Sequence, residues 1–225
     1  MRGVVGRGLL VRLLLGRPGL VLLLSFGLLF QRRISGVINT FALQAVVLAI
    51  AAGWQGFVQN APHLYLTALL AFGFKALVIP LALRRIVRRL MIHRTVETAM
   101  SIGLSMVVGV ALVTLAILLV LPVTSESAAL TRENLALALS VVLLGLLMMI
   151  TRRNAVTQVI GFMSLENGLI LAAVGVSGMP LVVEMSVAFS VMVAFIIFGI
   201  FFFQIRERFD TLDLHYLEAF RGERS

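Results

Sequence analysis

The sequence contains no cysteine. That excludes cysteine-ligated iron–sulfur clusters, zinc–thiolate sites, disulfides and thiol catalysis within this chain. Charge is scarce as well: 13% of residues are Asp, Glu, Lys or Arg, about half the share of an ordinary soluble domain. Negative charge is the scarcer sign, with 10 acidic residues against 19 basic ones. Lysine occurs once, as Lys75. No phosphate loop, nucleophile elbow, zinc motif or dinucleotide fingerprint is present. Cofactors are therefore expected to be held by other chains, not this one.

What the sequence has in excess is apolar surface. Hydrophobic residues make up 60% of the chain and the mean hydropathy is +1.08. A soluble fold of this size cannot hide so much, whereas lipid accepts it. A helix crossing a bilayer needs about 20 mostly apolar residues. Such runs centre near 9–30, 36–56, 62–83, 98–121, 134–150, 155–177 and 181–204. The expectation is an all-α polytopic membrane protein with about seven transmembrane helices.

The arginines fall between these runs with one bias. Arg32 and Arg33, then Arg84, Arg85, Arg88, Arg89 and Arg94, then Arg152 and Arg153, then Arg206 and Arg208 all occupy connections on one side. The opposite connections hold Arg132 with Glu126 and Glu133. By the positive-inside rule the arginine side is cytoplasmic, which puts the C-terminus inside. The net charge of +9 thus reads as topology, not as a nucleic-acid footprint. Residues 1–18 resist this scheme, because Arg2, Arg7, Arg12 and Arg17 interrupt the first apolar run and Pro18 follows. A basic helix on the membrane surface, a start codon placed too early and a signal-like segment all accommodate them. The organisation expected is that segment, helices 1–4 over 19–133, a last group of three over 134–204, and a cytoplasmic tail over 205–225.

Ionisable residues inside the bilayer are expensive and functional by default. Lys75 lies nine residues before Arg84, roughly 14 Å below the cytoplasmic rim and too deep to snorkel easily. Lysine can lose its proton when desolvated and arginine cannot, so a lone deep lysine suits proton transfer. The bland alternative is an ion pair that holds helices or subunits together. Pro80, five residues on, cannot donate to the carbonyl of Ala76 and is expected to kink the helix beside Lys75. Glu166 lies roughly 20 Å into the sixth span, counted from Arg153. Asn167 and Gly168 follow it, and Gln158 shares its half of the helix. Gly168 permits close helix approach. Glu184 stands near the outer end of the last span, where an acid can also simply reach water. His63 and His93 at span ends and His215 in the tail do not pair at mid-depth, which disfavours haem ligation. Spacing also hints at a weak duplication of 19–83 in 134–204, in which uncharged Gln44 stands roughly where Glu166 stands.

Two stretches carry a resemblance. From Thr151 to Phe220 the sequence has RRN at its start, LENG around Glu166, VVEMSVA around Glu184 and TLDLHYL in the tail. The third span reads FGFKALVIPLALRR, with Lys75 and Pro80. Together they cover about 90 residues and resemble hydrogenase-4 component E, a membrane subunit of formate-hydrogenlyase-like complexes. The last three spans also look like subunit K of NADH-quinone oxidoreductase and the C subunit of multisubunit sodium/proton antiporters. The resemblance implies a non-catalytic subunit of a membrane-bound nickel–iron hydrogenase in a bacterial or archaeal cytoplasmic membrane. Antiporter-like membrane subunits would be its partners, and Glu166, Lys75 and Glu184 a proton relay supported by Pro80, Asn167 and Gln158. It departs from subunit K in the last helix, where Ser190 stands at the depth expected of a second glutamate. A subunit of a stand-alone cation/proton antiporter and a purely structural scaffold are the rival expectations.

Overall fold

The computed structural model of the chain describes residues 18–89, 98–123, 129–175 and 192. The described part is a set of apolar helices. Helix α1 is Pro18–Phe30 and α2 is Ile34–Gln59. Helix α3 begins as Pro62–Leu70, continues in π-helical geometry over Ala71–Val78, and returns to α geometry over Ile79–Arg89. Helices α4 (Ile102–Val123), α5 (Ala129–Thr151) and α6 (Ala155–Gly175) follow. Five of these are long and apolar enough to cross a membrane, and α1 is shorter. The chain is a polytopic α-helical membrane protein. Apart from residue 192, the seventh expected span, Glu184 included, lies outside the described residues, as do the tail and the first 17 residues.

Two expected spans begin elsewhere, for local reasons. The apolar run puts the start of the fourth at residue 98. Instead Thr98 forms an isolated bridge with Arg152, and the Ala99 amide donates to the Thr151 carbonyl at 2.8 Å. Ser101 then caps α4, its hydroxyl accepting from the Leu104 amide at 3.3 Å. The fifth looked short from its apolar run, but α5 extends back to Ala129 and takes in Arg132 and Glu133. Turn chemistry sets the other joints. Asn60 adopts the left-handed conformation (φ 51°, ψ 39°) that ends α2, and Pro62 opens α3. Asn154 caps α6, its side-chain oxygen accepting from the Val156 amide at 2.9 Å.

Packing explains which helices are central. In its spanning window α6 is 61% buried and α4 only 17%. Helices α5 and α6 form a tight hairpin, α4 lies along α5, and α2 touches both α3 and α6. Glycine makes the hairpin close. A Cβ on Gly145 would stand 2.5 Å from the Leu165 amide nitrogen, and one on Gly168 would stand 2.8 Å from that of Val142. Without an apolar driving force between helices in lipid, such backbone approach supplies the dispersion contact that holds them. Glu166 thus rides on the best-anchored helix of the described part.

The two membrane faces are stitched differently. At one rim Arg84 Nη2 donates to Asn39 Oδ1 at 2.7 Å, joining the end of α3 to the start of α2. On the same rim Arg32, Arg33, Arg84, Arg85, Arg88 and Arg153 are exposed. At the other rim Gln59 Nε2 donates to the Val174 carbonyl at 3.2 Å, satisfying the end of α6.

Candidate functional site

Lys75 sits in the π-helical stretch, at the midpoint of the Pro62–Arg88 span. Pro80 removes one backbone donor from this helix. The chain answers with widened turns rather than a break: the Ile79 amide reaches back to the Phe74 carbonyl, five residues away. Pro80 is itself buried. The Lys75 side chain turns inward and is 2% exposed.

Its ammonium meets α6. Lys75 Nζ lies 3.1 Å from Glu166 Oε1, and Glu166 is also 2% exposed. The same nitrogen donates to Asn167 Oδ1 at 3.0 Å. Two consecutive residues of α6 therefore hold one cation, one by charge and one by a neutral carbonyl. Across the membrane core the pair is electrically neutral, the condition under which buried charges are tolerable.

The contact extends beyond the pair. Asn167 Nδ2 donates to Gln44 Oε1 at 3.2 Å. Gln44 Nε2 donates to Ser25 Oγ at 2.8 Å and to Ser164 Oγ at 3.0 Å. Ser25 Oγ donates to the Val21 carbonyl at 2.9 Å. Helices α1, α2, α3 and α6 thus meet in one polar seam, with Gln44 and Asn167 fully buried. Direction is imposed from the lysine end. An ammonium only donates, so Asn167 must turn its oxygen to Lys75 and its nitrogen to Gln44, and Gln44 must follow suit.

The structure brings together Lys75, Glu166 and Asn167, with Pro80 next to the stretch that presents the lysine. Gln158 stands apart from this seam: its Nε2 donates to the Arg152 carbonyl at 2.8 Å, in the α5–α6 turn. Glu184 lies outside the described residues. Sequence reading missed Ser25 and Ser164, and it saw Gln44 only as an uncharged counterpart of Glu166. Their signal was available, since each is a polar residue near the middle of an apolar run, where an unsatisfied group costs several kcal/mol. It also took Arg152 for a loop charge. Its side chain is 2% exposed, and Nη2 donates to the carbonyls of Leu28 and Leu29 at 3.0 and 2.6 Å. Those are orphan carbonyls at the end of α1. Burial pushes this guanidinium below the ordinary arginine pKa. Among the described residues no three His, Asp or Glu side chains gather to hold a metal.

A polytopic helical membrane protein with one lysine–glutamate pair at mid-depth is the class that fold and site define. Comparison with known proteins narrows it. The chain is similar to hydrogenase-4 component E of Escherichia coli K12, at 27% identity over 206 residues, covering 91% of this chain and 95% of that protein. The Shigella flexneri component E matches to the same extent. An uncharacterized protein of Mycobacterium tuberculosis is 28% identical over 205 residues, covering 90% of this chain and 93% of its own length. The resemblance read from two stretches thus runs nearly end to end. No protein-family model matches the chain, and no solved structure does.

Proposed function

We propose that the chain is a non-catalytic membrane subunit of a hydrogenase-4-type nickel–iron complex in a bacterial cytoplasmic membrane, and that its Lys75–Glu166 pair takes part in moving protons. The observation that carries the reading is the 3.1 Å contact between two fully buried titratable groups at mid-membrane. The near full-length similarity to hydrogenase-4 component E supports the choice of complex. Partner subunits hold the metals and the electron path, and antiporter-like subunits adjoin this chain in the membrane. The C-terminus faces the cytoplasm. The last three spans play the part that subunit K plays in NADH-quinone oxidoreductase.

The chemistry follows from the pair. A proton delivered to the Glu166 carboxylate cancels the charge attraction and leaves the ammonium among neutral acceptors only, the carboxyl oxygen and Asn167. Loss of a proton from Lys75 restores neutrality. The pair can therefore alternate between two neutral arrangements and one cationic one, which is what a relay needs at a depth where net charge is costly. The seam toward α1 does not extend this route. A carboxamide nitrogen donates and its oxygen accepts, and neither hands a proton on.

The seam itself favours a second reading, a scaffold in which the charges only hold helices together. Glu166→Gln separates the two. It keeps the side chain's shape and an acceptor for Lys75 while removing the titratable acid. Loss of proton coupling in an intact complex is the expected result. Loss of the complex would favour the scaffold.

A further inference from the structure

The Lys75–Glu166 pair has a support that neither charge provides. Lys75 Nζ has two partners on α6, and the uncharged one, Asn167, is held in turn by Gln44 of α2. Gln44 is fully buried and uses both ends of its amide: the oxygen accepts from Asn167, and the nitrogen donates to Ser25 and Ser164. Few side chains could do this. A leucine would leave the Asn167 amide nitrogen unpartnered in the core. A glutamate would accept from Asn167 but put a second carboxylate into a cluster with one ammonium. We propose that Gln44 is a positioning residue for the pair: through Asn167 it fixes where the Lys75 ammonium sits, and by being uncharged it leaves Glu166 as the acid that Lys75 serves.

This rests on the proton-transfer reading but is testable apart from it, because Lys75 is the single lysine of the chain. Isotopically labelled lysine gives one side-chain nitrogen signal for the whole protein, free of overlap. Solid-state NMR of the full chain in lipid, with labelled asparagine and glutamate, then reads the neighbours of that nitrogen. The parent should show contacts from the lysine nitrogen to one asparagine side-chain carbonyl and one glutamate carboxyl. In Gln44→Leu the asparagine contact should vanish while the glutamate contact stays. In the assembled complex the same variant should lower proton transfer per turnover by about tenfold or more, the order expected when a reacting group is misplaced. Electron transfer through the complex should hold, showing that assembly is intact. If Gln44→Leu does not assemble, the paired Ser25→Ala and Ser164→Ala changes loosen Gln44 more gently and should weaken the same contact. Persistence of the asparagine contact without Gln44 would overturn the proposal. So would a lost contact with unchanged proton transfer. A different result, proton transfer unaffected by Glu166→Gln, would sink the relay reading and leave the NMR contacts to decide the positioning claim alone.

Discussion

Two charges 91 residues apart in sequence hold each other inside the bilayer, and each is tolerable there only because of the other. Replacing one partner by an apolar residue, which unlike Glu166→Gln keeps no polar contact, leaves an uncompensated buried charge at a cost of about 3–5 kcal/mol; replacing both by apolar residues of similar size is nearly neutral. Lys75→Met and Glu166→Met should therefore each lower the thermal unfolding midpoint of the chain in detergent, and the double variant should recover most of the loss. Additive losses would mean that the two side chains do not interact. Arg152 makes a separate residue-scale claim. Arg152→Ala strands two α1 carbonyls that the guanidinium satisfies, a loss of about 1–3 kcal/mol. Hydrogen exchange should show the end of α1 opening first. Both titratable partners of the pair were legible in the sequence, one as a lone lysine and the other as a deep acid. Their meeting was not, because hydropathy gives the depth of a residue and not the rotation of its helix. Arg152 and Arg153 show the same limit: adjacent, identical, and one buried while the other is exposed.

Helices α2, α3 and α6 were readable because a membrane span is written as sheer apolar length, and their ends carry chemical marks such as Asn60, Pro62 and Asn154. Polar end residues hid the true extent of α5, and the bridge between Thr98 and Arg152 delayed α4. The π-helical stretch in α3 was half legible. Pro80 announced a disturbance, but nothing in the pattern says whether a helix kinks or widens. The α5–α6 hairpin yields an element-scale prediction. A side chain at Gly145 must push into the Leu165 backbone, which has no flexible end to move aside. Gly145→Val should separate the two helices and disturb the Glu166 pair from a distance. Hydrogen exchange at the α5 and α6 backbone amides should be faster with Gly145→Val than in the parent background. Equal exchange in both would show that the hairpin does not depend on this approach.

Across the whole molecule, the buried face and the exposed face serve different ends. The seam through α1, α2, α3 and α6 is internal, whereas α4 presents most of its apolar side chains outward. A subunit of a larger membrane assembly needs both a fixed interior and apolar surface for neighbouring helices. The sequence resemblance was first carried by two short stretches, and the similarity to hydrogenase-4 component E proves to extend over nearly the full length. Apolar spans substitute freely for one another, so the hydropathy of the other helices reads as membrane depth and not as a family signature.

The most direct test is proton uptake by inverted membrane vesicles carrying the assembled complex, compared between the parent and Glu166→Gln at equal hydrogen turnover. The account predicts that hydrogen chemistry and assembly persist while proton uptake per turnover is lost. Uptake at the parental ratio would contradict it.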